Sequence, residues 1–251
     1  MNQLPPEGWV HVDRYIDPMG CGAVYPYSIA EKVQRGDIFA NVHRALFWHY
    51  SGFAFAYGEY NEAALHWLYE TFLSERAAPP RRFILFTSDE KIANYFTVQE
   101  NVLLERRCFF TYRKGYPQSV PELPAGYRLR EIDGEILNKI CGAVTPFFSW
   151  DSVGEFLQKG GGYCVLEGER PAAWAFSAAV SGEEIDIGVE TVGGYQRLGL
   201  GTIAAEAMVR YSFEQGKRPV WACHSRNAAS QKLAGKLGFV KSAECCTIKR
   251  K

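Results

Sequence analysis

Long apolar runs are missing from this chain of 251 residues. None approaches the ~20 consecutive apolar residues of a membrane-spanning helix, so no membrane partner is expected. A surplus of charge is missing too: 28 Lys and Arg stand against 28 Asp and Glu. Without a basic footprint, nucleic acid is not expected as a partner, and the closing Lys249, Arg250 and Lys251 read as a solvated tail. Neither C-x-x-C nor H-E-x-x-H occurs, so the scattered histidines and cysteines promise no metal site. The seven cysteines, Cys21, Cys108, Cys141, Cys164, Cys223, Cys245 and Cys246, are odd in number. Several lie in apolar runs, which fits reduced, mostly buried thiols in a cytoplasmic protein. The opening MNQLPPEGWVHVDRY carries acidic residues and no apolar segment, so no secretory leader is expected.

What is present is an ordinary globular composition, long enough for one or two domains with real cores. Residues 114–126, KGYPQSVPELPAG, gather three prolines and two glycines and read as a linker. It divides the chain into an N-terminal α/β domain, residues 1–122, and a C-terminal domain, residues 123–251. Downstream, YRLREI is a strand, and GEILNKICGAV and DSVGEFLQKG are helices. YCVLEGE and PAAWAFSAAVSG form a hairpin, and EIDIGVETV is the next strand. LGTIAAEAMVRYSFEQG is a helix stopped by Gly216. PVWACHS, NAASQKLAGKLG and SAECCTIK close the chain as strand, helix and strand. Upstream, FWHYSGFAFAYGEY, NEAALHWLYETFLSER, RRFILFTS, SDEKIANYFT and ERRCFFTYRK read as strand, helix, strand, helix, strand. That repeats the order of the C-terminal end without its Gly-x-Gly turn; a degenerate duplicate and an unrelated α/β lid both fit.

The turn in question is GYQRLGLGTIAAEAM, residues 194–208, at the passage from strand to helix. A helix start offers unpaired N–H groups and the positive end of its dipole, and so attracts phosphate. Gly199 and Gly201 carry no Cβ to keep a diphosphate away; the plain alternative is a tight connection that needs positive φ. The turn lacks G-K-[ST], so it is no P-loop. GLGTIA matches the dinucleotide fingerprint G-x-G-x-x-A, yet the following strand ends WACHSRN with no carboxylate, and only about fifty residues remain for further βα units. That match is read as accidental.

Gln196-Arg197-Leu198-Gly199-Leu200-Gly201 instead resembles the Q/R-x-x-G-x-G/A motif of the GNAT family of acyl-CoA N-acyltransferases. Downstream, Asn227 opens a helix that ends KLGF, a second mark of the family. The resemblance covers about residues 127–251. It implies a GNAT fold of the α/β (α+β) class, a mixed twisted sheet flanked by helices, with the N-terminal α/β domain beside it as an acceptor-side lid. It also implies acetyl-CoA as acyl donor, no metal, and a small-molecule primary amine as acceptor. Carried over, Val189, Glu190 and Thr191 would line the pantetheine arm through their backbone. Arg197, Leu198, Gly199, Leu200, Gly201 and Thr202 would hold the diphosphate through N–H groups, braced by Gln196. Asn227 and Ser230 would reach the pantetheine, and Arg197 and Lys232 would pair with phosphates. A homodimer stays open.

The chain departs from the family where the proton carriers usually sit. The leaving-thiolate tyrosine is replaced by Ala234, and a glutamate on the strand before that helix by Ala222. The base then falls to Glu190, with Asp186 on its face, or to His224 past the neighbouring strand. The N–H of Thr191 would serve the oxyanion. Trp48, Tyr50, Tyr57, Tyr60, Trp67 and Tyr69 read mainly as core, or with Glu59 as a pocket for a cationic acceptor. The reading is an N-acetyltransferase; the alternative is a catalytically idle acyl-CoA-binding module whose N-terminal domain senses or docks a partner.

Overall fold

The computed structural model describes residues 1–117 and 122–251, so part of the expected linker, residues 118–121, lies outside the described residues. The chain divides into two units. The first takes Met1–Phe109, Cys223–Asn227 and Ser242–Lys251; the second takes Phe110–Ala222 and Ala228–Lys241. By contacts the division is interleaved, where the sequence suggests a single cut at residue 122.

In the first unit, β1 (Asn2–Leu4), α1 (Val24–Ala30), β2 (Gly36–Asn41), β3 (Arg44–His49), β4 (Phe53–Gly58), α2 (Glu62–Leu68), β5 (Ile84–Thr87), α3 (Glu90–Thr97) and β6 (Val102–Tyr112) follow one another. The run FWHYSGFAFAYGEY, expected as one strand, is two. Gly52 adopts φ +87 and its N–H closes a turn on His49 O at 2.8 Å, splitting β3 from β4. Strands β1 to β4 pair antiparallel, and β4 pairs in parallel with β5. Helix α2 starts on Asn61, whose side chain accepts from Ala64 N–H, and α3 starts on Asp89, which accepts from Lys91 N–H. Both are ordinary N-caps. Aromatic rings fill the core: Phe72 stacks on Phe83 at 4.3 Å, and Trp48 meets both edge-on. Burying each such ring contributes about 1.5–3 kcal/mol.

The second unit begins with the last residues of β6. Then come β7 (Tyr127–Glu131), α4 (Gly134–Lys139), α5 (Val153–Lys159), β8 (Gly162–Glu167), β9 (Arg170–Val180), β10 (Glu184–Thr191), α6 (Leu200–Glu214), β11 (Arg218–His224), α7 (Ala228–Leu237) and β12 (Phe239–Arg250). This is the order expected from the sequence. Strands β7 to β10 pair antiparallel, and β10 pairs in parallel with β11. Long strands explain the interleaving: β6, β11 and β12 each give residues to both units, and in the first unit β12 pairs antiparallel with β5. Each unit thus has a mixed sheet. The second unit's core sets Trp150, Trp174, Phe156 and Phe176 almost wholly out of water.

None of the seven cysteines is in a disulfide. Cys141 is exposed, Cys21 and Cys246 are half-buried, and the rest are buried. The Cys21 thiol is pulled down to about 7 by its hydrogen bond with Cys245, against the opposing effect of burial.

Candidate active site

Strand β10 parts from its parallel neighbour early. It stays in register with β9 from Ile185 to Thr191, but its register with β11 ends at Asp186, opposite Val220. Val192 N–H donates to Ala172 O at 3.0 Å, which fixes the alternation along the strand. The backbone groups of Glu190, two residues earlier, also face β9, whereas those of Val189 and Thr191 face the opened edge. The expectation that all three line an acyl carrier through their backbone is corrected: Glu190 spends its N–H and C=O in the β9 ladder. Val189 and Thr191 keep theirs.

The edge leads into the glycine turn. Gly199 is the N-cap of α6 at φ +81, with no side chain to cap the helix, and a Cβ there would meet nothing within 4 Å. Its glycine answers to backbone conformation. Gly201 is buried and answers to packing, since a Cβ would lie 2.6 Å from Thr191 Oγ1 and 3.7 Å from Val189 Cγ1. Close approach of helix and strand is by itself a reason for glycine at this position. Thr202 N–H donates to Gly199 O at 2.9 Å, while the amides of Leu200 and Gly201 stand before the first intrahelical acceptor. Gln196, Arg197 and Leu198 are exposed, and Leu200 is buried. Arg197 is held at φ +66, uncommon for a residue with a Cβ. Among the described residues, no hydrogen bond of the Gln196 side chain braces the turn. Tyr195, which sequence reasoning passed over, does so through its hydroxyl to Glu167 Oε2 at 2.8 Å.

Glu190 turns its carboxylate away from α6. Oε1 accepts from Ala143 N–H at 3.1 Å and Oε2 from Val144 N–H at 2.6 Å. Asp186 is 4% exposed and sits at an irregularity of the β9–β10 ladder between Asp186 and Ile187. The extra residue of that bulge is Ala178 on β9, so β10 keeps its alternation from Asp186 to Glu190.

His224 ends β11 in the first unit. Its Nδ1 accepts from Arg226 N–H at 3.1 Å, which places the ring proton on Nε2. Nε2 lies 3.2 Å from Glu105 Oε1, a close contact off the line of a good hydrogen bond. Lys249 reaches Glu105 Oε2 at 2.5 Å, and it, more than His224, holds that carboxyl below its usual range. The imidazole is thus held at Nδ1, with Nε2 beside the Glu105 carboxylate. Asn227 is exposed immediately before α7, its N–H on His224 O at 2.8 Å. In the second unit Ser230 Oγ accepts from Trp221 Nε1–H at 3.0 Å, so one lone pair is committed. Lys232 is exposed, Ala222 half-buried, and Ala234 fully buried, leaving the usual acid position filled by a methyl group.

Of the N-terminal aromatics, Tyr50, Tyr57, Trp67 and Tyr69 are half-buried. Trp48 and Tyr60 are buried, and the Tyr60 hydroxyl donates to Ala45 O. Tyr69 donates to Asn101 Oδ1 at 2.9 Å, and Trp67 packs on the same cluster. Arg81 lies 3.7 Å over the Trp48 ring and Arg44 5.7 Å over Tyr60. The cations over these two rings are the chain's own.

Similarity to known proteins agrees with this geometry. Residues 22–247 match the GNAT acetyltransferase family. An uncharacterised N-acetyltransferase of Bacillus subtilis (strain 168), YdfB, is 27% identical over 193 residues, 75% of this chain and 74% of that one. A GCN5-related N-acetyltransferase-like protein from Streptococcus suis 89/1591 superposes with TM-score 0.78 at 19% identity, covering 98% of this chain and 99% of the other. A tandem GNAT protein from the clavulanic acid biosynthesis pathway gives TM-score 0.56 at 10% identity, over 92% and 88%. The two structures bear on the fold alone; the family match covers most of the sequence. The opened strand, the uncapped helix and that match lead to one conclusion: the chain belongs to the GNAT acetyltransferase family and is an acyltransferase of the N-acetyltransferase type.

Proposed function

We propose that this acyltransferase moves an acetyl group from acetyl-CoA to the primary amine of a small molecule in the cytoplasm. The observation that carries the reading is the opened edge of β10 running into the bare start of α6. An extended arm with amide groups fits an unpaired strand edge, and a diphosphate fits an uncapped helix start. Val189 and Thr191 would bind the arm through their backbone, with Thr191 N–H turned to the same edge as oxyanion donor. Residues 197–202 would hold the diphosphate. Arg197 and Lys232 would supply charge, and Ser230 a further polar contact to the arm. The thioester supplies an activated acyl group, so the chain must bind and orient. Of the two protons the ammonium nitrogen loses, one ends on the leaving CoA thiolate and the other on an acceptor. Glu190 and His224 already give lone pairs to backbone amides. Water is therefore the proposed acceptor of the ammonium proton, and no metal takes part.

The test is release of the CoA thiol from acetyl-CoA across a panel of small primary amines, beside calorimetry of CoA binding. Amine-dependent turnover is expected. Tight CoA binding with no turnover on any amine would favour the idle binding module, and failure to bind CoA would overturn the site itself.

A further inference from the structure

The carboxylate of Glu190 and the indole of Trp174 hold the same short segment. Glu190 takes the N–H groups of Ala143 and Val144, and Trp174 Nε1–H donates to Val144 O at 2.8 Å. The two residues stand opposite each other in the β9–β10 ladder. Gly142 completes the fit, because a Cβ there would lie 2.6 Å from Glu190 Cδ. This segment lies in the irregular connection between α4 and α5, so hydrogen bonds to side chains, rather than a ladder, decide where it lies.

We infer that Glu190 is a positioning residue for acyl transfer and not its base: with Trp174 it seats residues 142–144 as the acceptor-side wall of the opened β10 edge. The inference rests on the function proposed above. Its location follows from the chain itself. Glu190 lies between Val189 and Thr191, the residues whose backbone lines the proposed thioester arm. A segment bonded to its carboxylate therefore lies within one side-chain length of the reacting carbonyl. Bonds from N–H groups to a carboxylate are among the stronger ones a protein makes, and they hold only while the acceptor stays an acceptor. The wall is fixed before any amine arrives.

Glu190→Gln tests this, because it keeps length but turns one acceptor oxygen into an NH2 group facing an N–H. In the ligand-free chain, hydrogen exchange at the amides of Ala143 and Val144 should quicken about 10-fold or more, the scale of one charged hydrogen bond. In turnover with acetyl-CoA and the best amine of the panel, the amine KM should rise about 10-fold. kcat should fall less than about 5-fold, and the acidic limb of the pH–rate profile should remain. A base would behave otherwise: kcat would drop about 100-fold or more and that limb would vanish. Either that result or unchanged exchange at both amides overturns the inference. Trp174→Phe removes only the donor to Val144 O and should shift the amine KM in the same direction, which keeps the question answerable if the glutamine variant folds poorly. Should no amine be acetylated, the transfer reading falls, while the exchange rates still decide whether the clamp exists.

Discussion

Strands β4 and β10 occupy the same place in the same order of elements. Each closes an antiparallel run and leads into a helix. Each then pairs in parallel with the next strand through three residues, Phe53–Phe55 with Ile84–Phe86 and Glu184–Asp186 with Arg218–Val220. Beyond those pairs both strands run on. They differ in what comes next. After β4, Tyr60 is buried and bonded to Ala45 O, and Asn61 caps α2 with its own side chain. After β10 come a 3-10 turn and Gly199, with no cap on α6. The first unit repeats the strand and helix order of the second with its helix start capped by a side chain. The two strands open alike; what separates the units is the capping of the helix that follows each.

The largest expected effect comes from breaking the open helix start. Gly201→Val places a branched side chain where a single Cβ already meets Thr191 Oγ1 at 2.6 Å. Overpacking of this kind costs about 1–3 kcal/mol and must push α6 off β10. CoA affinity measured by calorimetry should fall at least about 100-fold, since the amides and the strand edge would no longer lie together. Retained affinity would detach the diphosphate from this turn.

The comparison sharpens at a buried imidazole in the first unit. His49 has no exposed surface, and its Nδ1 accepts from Ser51 N–H at 3.1 Å. Burial first, and the Arg81 charge second, hold its pKa down at about 3, against about 6.5 when unfolded. Between those values the unfolded chain binds the extra proton, so stability is full above pH 6.5 and declines as the pH falls towards 3. The slope is about 1.4 kcal/mol per pH unit. His49→Asn keeps an acceptor near Nδ1 and cannot titrate. Urea midpoints from pH 7 to 4 should therefore fall more gently in the variant. Equal slopes would remove His49 from the account.

How much of this was legible in the sequence depends on how local the cause was. Elements β7 to β12 and their helices followed from apolar alternation and from punctuation such as Gly216, at φ +69 after α6. Gly199 and Gly201 marked the site, but not their separate reasons, because one answers to its own φ and the other to Thr191, ten residues away. Glu190 was visible as a strand carboxylate; that Ala143 and Val144, some 47 residues earlier, would claim it was not. Asn227 and His224 share a stretch of sequence with Ser230, yet the contacts of long strands assign them to the other unit. Elements α1 and β2 left too short a periodic signal to be read.

The smallest effect probes the closed helix start. Asn61 Oδ1 accepts from Ala64 N–H and from Arg44 Nη1, each at 3.1 Å. Asn61→Ala should cost about 1 kcal/mol of stability, and Asn61→Gly only a few tenths, since glycine lets water reach the freed amides. The glycine variant makes the start of α2 resemble that of α6 in cap chemistry alone. Tyr60 still occupies the joint, and α2 has one short run of seven residues before it widens into a π turn. CoA should therefore bind as a single equivalent per chain in Asn61→Gly, with the affinity of the parent protein. A second equivalent, abolished by lengthening the side chain again, would mean that capping alone separates the two units. An unchanged stoichiometry with the expected loss in urea midpoint would show that the buried tyrosine and the short helix close the first unit as firmly as its cap.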